Sequence, residues 1–231
     1  MMLKRTEIDH TQSAGSEMDF RDSAGWRIFR IMAEFVDGFQ FLKDLKQEVT
    51  FFGSARLPEG SRWYEEARAL GKMLAEAGFT VITGGGPGIM EAANRGAGEQ
   101  GGESIGLNIQ LPREQRMNPY VKRGMGFHYF FTRKVMLSAS AQAYIFFPGG
   151  FGTLDEMLEL ATLIQTEKMQ RVPIVLVGKD YWSGLLDWVR AQMRDATPPM
   201  IAAEDLDIMQ VVDSATEAFA IVKETKERPY F

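Results

Sequence analysis

The apolar run Ala143-Tyr144-Ile145-Phe146-Phe147 breaks off at Pro148-Gly149-Gly150-Phe151-Gly152-Thr153. Apolar residues then recur at Leu154, Met157, Leu158, Ala161, Leu163 and Ile164. A short apolar run closed by proline and glycine reads as a buried strand, and the later spacing reads as a helix. The loop between them needs its glycines wherever the backbone must approach a ligand without Cβ obstruction. The first amides of the helix lack intrahelical acceptors and, with the helix dipole, favour an anion, most naturally a phosphate. Glu156 falls in the first turns of this helix, which holds a carboxylate beside whatever the loop binds. The alternative is a tight strand-to-helix turn capped by Thr153.

A second unit of the same kind lies upstream. The strand Phe79-Thr80-Val81-Ile82-Thr83 runs into Gly84-Gly85-Gly86-Pro87-Gly88 and a helix from Ile89. A dinucleotide fingerprint starting at Gly84 requires glycine at position 89, which is isoleucine, and a P-loop requires Gly-Lys-Ser/Thr at 89 to 91. Neither motif is present, and neither starts properly at Gly149. The loops suit close backbone–ligand contact without being a standard NAD or ATP signature.

The other segments alternate in the same way. Val49–Phe52 reads as the first strand, and Ser54 just after it either caps the turn or contacts a ligand. A helix follows from Ser61 to Ala77, stopped by Gly78. Ser104–Ile109 reads as a strand, Phe127–Phe131 as another, and a helix opens at Thr132-Arg133-Lys134 and runs to Ala141. Cations at a helix start oppose its dipole unless they meet an anion, so Arg133 stands open between a functional and an incidental role. Strands at Val172–Val177 and Ile208–Val212 and helices at Trp182–Met193 and Ser214–Lys223 complete the pattern. Such alternation predicts an α/β fold, a parallel sheet with helices on both faces. Right-handed crossovers bring the glycine loops, Arg133 and Glu156 to the carboxyl edge of that sheet. The stripe Ile28, Phe29, Ile31, Met32, Phe35, Val36, Phe39 adds an N-terminal helix, packed across the sheet or against another subunit. Residues 1–22 read as a flexible tail and 23–231 as one domain.

Composition narrows the function classes. A chain of 231 residues, 45% hydrophobic and 25% charged, can bury a full core, and its net charge of −5 argues against nucleic-acid binding through phosphates. It has no cysteine, which excludes disulfides and thiolate metal sites, and its two histidines, His10 and His128, exclude a histidine-rich metal site. No membrane-length apolar run is present, and Met1–Asp22 lacks the apolar core of a signal peptide. The expected location is the cytoplasm.

Three motifs support a family. Gly84-Gly85-Gly86-Pro87-Gly88-Ile89-Met90-Glu91-Ala92, Thr132-Arg133-Lys134 and Pro148-Gly149-Gly150-Phe151-Gly152-Thr153-Leu154-Asp155-Glu156 together resemble the Lonely-guy (LOG) family. Its members are cytokinin riboside 5′-monophosphate phosphoribohydrolases, long mislabelled lysine decarboxylases. The resemblance runs from Val49 to Val189 and implies a Rossmann-like fold and a homodimer or higher homo-oligomer. It also implies catalytic roles for Arg133 and Glu156. By the same resemblance Lys134 follows the motif arginine, and Gly149, Gly150, Phe151, Gly152 and Thr153 hold the 5′-phosphate. Thr162 matches a substrate-contacting threonine, and Glu114 and Asn118 lie where the family has polar pocket residues. Gly85, Gly86 and Ser54 complete the expected substrate-binding set. The Asn108–Gln115 run and the N-terminal helix depart from the short plant pattern and look like the longer bacterial branch.

The implied reaction is that of an N-glycosyl hydrolase of the AMP nucleosidase type. A nucleoside 5′-monophosphate, either AMP or an N6-prenylated derivative, gives free base and ribose 5-phosphate through an oxocarbenium-like transition state, with no cofactor or metal. Glu156 would orient the ribose or the water and stabilise the charge. Arg133 would fix the phosphate or help the base depart. Two rivals stand beside it. Lysine decarboxylation needs a Schiff-base lysine for pyridoxal phosphate, and only Lys134 lies in the motif region. A non-catalytic nucleotide- or molybdenum-cofactor-binding protein on the same fold needs no carboxylate beside its anion.

Overall fold

The computed structural model describes residues 24–110 and 117–228. Its elements follow in the order α1 (Ala24–Leu42), β1 (Glu48–Phe52), α2 (Arg62–Glu76), β2 (Thr80–Thr83), α3 (Ile89–Glu99), β3 (Ser104–Ile109) and β4 (Arg123–Phe127), then α4 (Phe130–Ala139), β5 (Ala143–Phe146), α5 (Phe151–Gln165), β6 (Ile174–Val177), α6 (Lys179–Val189), β7 (Met209–Val212) and α7 (Ala215–Val222). The seven strands form one sheet in the order β4-β3-β2-β1-β5-β6-β7, and every neighbouring pair is parallel. The predicted fold class, Rossmann-like with helices on both faces and an added N-terminal helix, is the one observed.

The sheet is covered on both sides, as the unbroken apolar runs of β5 and β6 require. β2, β3, β5 and β6 are buried along their whole length. Side chains of alternate parity then fill two cores. Phe52, Tyr144, Phe146, Ile174 and Leu176 meet Met136 of α4, Met157 and Leu160 of α5 and Trp182 of α6. Phe51, Ile145, Phe147, Val175 and Val177 meet α2, α3 and α7 through Leu70, Leu74, Ala93 and Ala218. Among the described residues no helix is long and apolar enough to cross a membrane.

One expected element is displaced. The strand predicted over Phe127–Phe131 is Arg123–Phe127, and the helix predicted from Thr132 begins at Phe130. Gly124 and Gly126 weaken the strand signal, whereas the aromatic run imitates one. β4 is an edge strand, largely exposed before Phe127, so it carries little of the apolar pattern of its neighbours. The expected tail at residues 1–22 lies outside the described residues.

Helices α2 and α3 cross at close quarters because Gly96 has no side chain. A Cβ there would stand 2.0 Å from the carbonyl oxygen of Arg68. Gly96→Ala is therefore expected to destabilise the protein by about 1–3 kcal/mol in urea denaturation, since backbone must move to admit the methyl group. Gly184→Ala, on the open side of α6 with nothing within 4 Å, is the control. It should be neutral or stabilising by up to about 1 kcal/mol.

Candidate active site

The strand order reverses between β1 and β5, and in open α/β sheets ligands bind at the carboxyl ends of the strands flanking such a point. Three loops meet there. The amide of Ser54, just beyond β1, donates to the carbonyl of Pro148 at 3.0 Å, and the amide of Ile89 donates to the carbonyl of Ser54 at 3.1 Å. Ser54 thus links both glycine loops through its backbone, while its hydroxyl accepts from the amide of Arg56 at 3.1 Å. Gly88 is obligatory at this junction. Its φ is +70° and a Cβ would lie 2.3 Å from the Ser54 carbonyl oxygen.

A cavity of about 600 Å³ opens between the loops. One wall is the start of α5, with Gly150, Phe151, Gly152 and Thr153. Gly150 is the N-cap and supplies no side-chain acceptor, so the first amides of α5 are left for a ligand. Arg133 of α4 and Glu156 of α5 both line the cavity, with Met90, Phe130 and Leu137 as apolar walls. Ser54, Gly84, Arg56 and Asp155 complete the rim. Arg133 stands against Gly84, where a Cβ would come within 3.3 Å of Nη1, and its guanidinium lies 5.4 Å from the Phe130 ring centroid.

Both charged groups are unsettled by their surroundings. Burial lowers the pKa of Arg133 and Glu156 opposes that shift, while its Nε has no hydrogen-bond partner. Glu156 is 7% exposed. Burial pushes its carboxyl up to about 7, Glu159 and Asp155 reinforce this, and Lys134 and Arg133 pull the other way. Its Oε2 is also buried without a hydrogen bond. A buried donor and a buried acceptor left unpaired on one cavity are costly unless a ligand completes them. Lys134 stands behind the wall. Its Nζ lies 2.6 Å from Asp155, 3.2 Å from Glu159 and 3.9 Å from Glu156. These carboxylates raise its pKa over the opposing effect of burial.

The remaining expected residues are placed as follows. Gly149 sits behind the loop, covered by the Thr153 side chain, and its carbonyl accepts from the Tyr181 hydroxyl. Gly85 and Gly86 do not line the cavity. They belong to a buried network in which Asn118 donates to the Gly85 carbonyl at 2.8 Å through its amide and to Gly86 at 3.0 Å through Nδ2. Asn118 Nδ2 also reaches Asn94 at 3.0 Å, and Thr83 donates to Asn94 at 2.6 Å. Asn118 therefore braces the second glycine loop from inside. Thr162 is exposed in a shallow depression with Leu158 and Glu159, its hydroxyl donating to the Leu158 carbonyl at 2.7 Å. At about 100° per residue it lies roughly opposite Thr153 on α5, which turns it from the cavity. Glu114 lies outside the described residues. Sequence reasoning missed Arg56, Met90, Phe130 and Leu137. Only the position of Arg56, two residues past Ser54 at a strand's carboxyl end, hints at its place.

Fold and cavity together define a doubly wound α/β protein with a candidate site at the switch point of a parallel sheet. The model of the family described as "possible lysine decarboxylase" matches residues 90–222. The cytokinin riboside 5′-monophosphate phosphoribohydrolase LOG of Oryza sativa subsp. japonica is 31% identical over 182 residues, 77% of this chain and 71% of that protein. A cytokinin riboside 5′-monophosphate phosphoribohydrolase of Mycobacterium marinum is 27% identical over 168 residues, 72% of this chain and 90% of its own. The chain belongs to this family, the LOG family. The molybdenum cofactor carrier protein of Chlamydomonas reinhardtii shares the fold, with a TM-score of 0.59 at 22% identity over 78% of this chain and 97% of that one. The decarboxylase label does not fit the site. Lys134 is held as a cation among three carboxylates, whereas a Schiff-base lysine must become neutral, and among the described residues no lysine lines the cavity.

Glu156 also makes stability depend on pH. Its folded carboxyl keeps a proton up to about pH 7 instead of the ordinary 4.5, so between these values the folded chain binds more protons than the unfolded one. Stability is therefore lost as the pH rises through that window. Glu156→Gln removes this loss. It should exceed the wild type at pH 8 by on the order of 3 kcal/mol and match it more closely at pH 4. Denaturant midpoints at the two pH values measure the difference, and an equal offset at both would contradict the assignment.

Proposed function

We propose that this protein hydrolyses the N-glycosidic bond of an adenine nucleoside 5′-monophosphate, releasing the free base and ribose 5-phosphate. The observation that carries this reading is a buried carboxyl poised near pH 7 on the same cavity as a partly buried guanidinium, at the open start of a helix. The names of the relatives from Oryza sativa and Mycobacterium marinum point to the same chemistry.

In this reading the substrate phosphate sits at the first amides of α5, with Arg56 or Arg133 completing its charge. The base lies against Met90, Phe130 and Leu137. As the C1′–N bond breaks, its electron pair passes to the departing base, which takes up a proton. The positive charge left on the sugar is met by ionised Glu156, and the same carboxylate orients the water that adds to C1′ and takes the proton that water loses. Lys134 limits how far burial can raise Glu156, so the carboxylate remains accessible at neutral pH. The same proposal takes the protein to work in the cytoplasm as a homodimer or higher homo-oligomer. The exposed apolar residues Phe29, Met32 and Val36 on α1 offer a surface for pairing. A passive carrier of an anionic cofactor, the alternative reading, gives no reason to bury Glu156 beside the anion.

Chromatography of reactions with AMP and, separately, isopentenyladenosine 5′-monophosphate tests the proposal by following base and ribose 5-phosphate. Faster release from the prenylated nucleotide marks cytokinin activation, comparable rates mark general nucleotide hydrolysis, and binding without release favours the carrier. Arg133→Ala and Glu156→Gln should each lower kcat by about 10²–10⁴-fold. Because the ionised carboxylate is the active form, kcat/KM should rise with pH up to about 7 and level off above it.

A further inference from the structure

Helix α1 precedes the residues 90–222 matched by the family model, and the site as described gives it no part. Its Glu34 nevertheless supplies what α4 lacks. The N-cap residue of α4, Tyr129, makes no side-chain cap. Glu34 reaches in from another helix and ties down the entry to α4. Its Oε1 accepts from the His128 amide at 2.7 Å, and its Oε2 accepts from the Thr132 hydroxyl at 2.6 Å and from the Tyr129 amide at 3.3 Å. One helical turn further along α1, buried Gly38 brings the two helices close. A Cβ there would lie 2.5 Å from Met136 Sδ. These bonds and the close approach together fix α4 against α1.

The residue after Thr132 is Arg133. Arg133 and Lys134 are the fourth and fifth residues of α4, so two cations still lie near the positive end of its dipole, which works against the start of the helix. A carboxylate bonded to the two amides just before the helix and to the Thr132 hydroxyl offsets the repulsion and anchors the segment from which the helix starts. Thr132 is fully buried, so the segment just before Arg133 is anchored on the side away from solvent.

We propose that Glu34 is a positioning residue for the reaction: by tying down the entry to α4 from α1 it holds Arg133 at the cavity wall where the anionic substrate group binds. The ligand that Arg133 meets rests on the function proposed above, but the mechanical claim does not. The full chain and its Glu34→Ala and Glu34→Gln variants are compared at a temperature where far-UV circular dichroism shows each to be folded. Three readouts are taken: kcat and KM on the nucleotide, affinity for ribose 5-phosphate by calorimetry, and hydrogen exchange of the 128–134 amides. Glu34→Ala should lower kcat/KM roughly 10- to 100-fold, the scale of a misplaced catalytic group. Ribose 5-phosphate should bind more weakly, and exchange should quicken across 128–134. Glu34→Gln keeps one acceptor oxygen without the charge and should fall between the wild type and Glu34→Ala in all three readouts. Unchanged kcat/KM and unchanged affinity in Glu34→Ala would overturn the proposal, as would a fall in kcat/KM with exchange across 128–134 unchanged. A wild type that binds ribose 5-phosphate but releases no base would instead overturn the function, and affinity and exchange would then decide the role of Glu34.

Discussion

Two backbone hydrogen bonds at Ser54 hold the site together, one to Pro148 and one from Ile89. They join the ends of β1 and β5 to the start of α3, so that loops separated by some ninety residues of chain share one wall. Backbone bonds of this kind do not depend on side-chain rotamers, and they set where the loop before α5 lies relative to the start of α3. Gly88 is the one residue type that permits the approach, because its left-handed φ and missing Cβ are both required.

On this frame the electrostatics are built in layers. Glu156 faces the cavity and is raised by burial. Lys134 lies behind it and is divided among Asp155, Glu156 and Glu159. A lysine shared by three carboxylates cannot neutralise any one of them fully. The net effect is a carboxyl near the midpoint of its titration at neutral pH, the state from which a proton is gained or lost most readily. Buried groups held this way are unfavourable for folding, and the paired cores on both sheet faces must offset them.

Most of the sheet was legible because each strand–loop–helix unit carries its own signals: an apolar run, a glycine break and a helical period. β4 was not. Its glycines lack strand propensity, and the aromatic residues after it belong to a helix start and a cavity rim, a distinction that burial makes and local pattern does not. Arg133 and Glu156 stood out within motifs. Arg56 did not, because only the tertiary fold carries the end of β1 beside α5. Asn118 was legible as a polar residue near the site, but its role as an internal brace depends on Asn94, Gly85 and Gly86, which no spacing rule connects to it. Thr162 was expected from the family resemblance, and the turn of α5 carries it to a face away from the cavity.

The placement of β1 also bears on biosynthesis. This strand is the middle of the sheet, yet its partner on one side is β5, with Val49 paired to Ala143. While the ribosome is still making the intervening residues, the first strands and their helices can assemble with one flank of β1 bare, and an unpaired strand flank is an adhesive template for other chains. The glycine loop after β2 exists in that half-built sheet, but the one after β5 does not. The nascent protein can therefore pass through a stage that has a sheet and no cavity, and emergence of β5 and α5 closes the bare flank and builds the cavity wall.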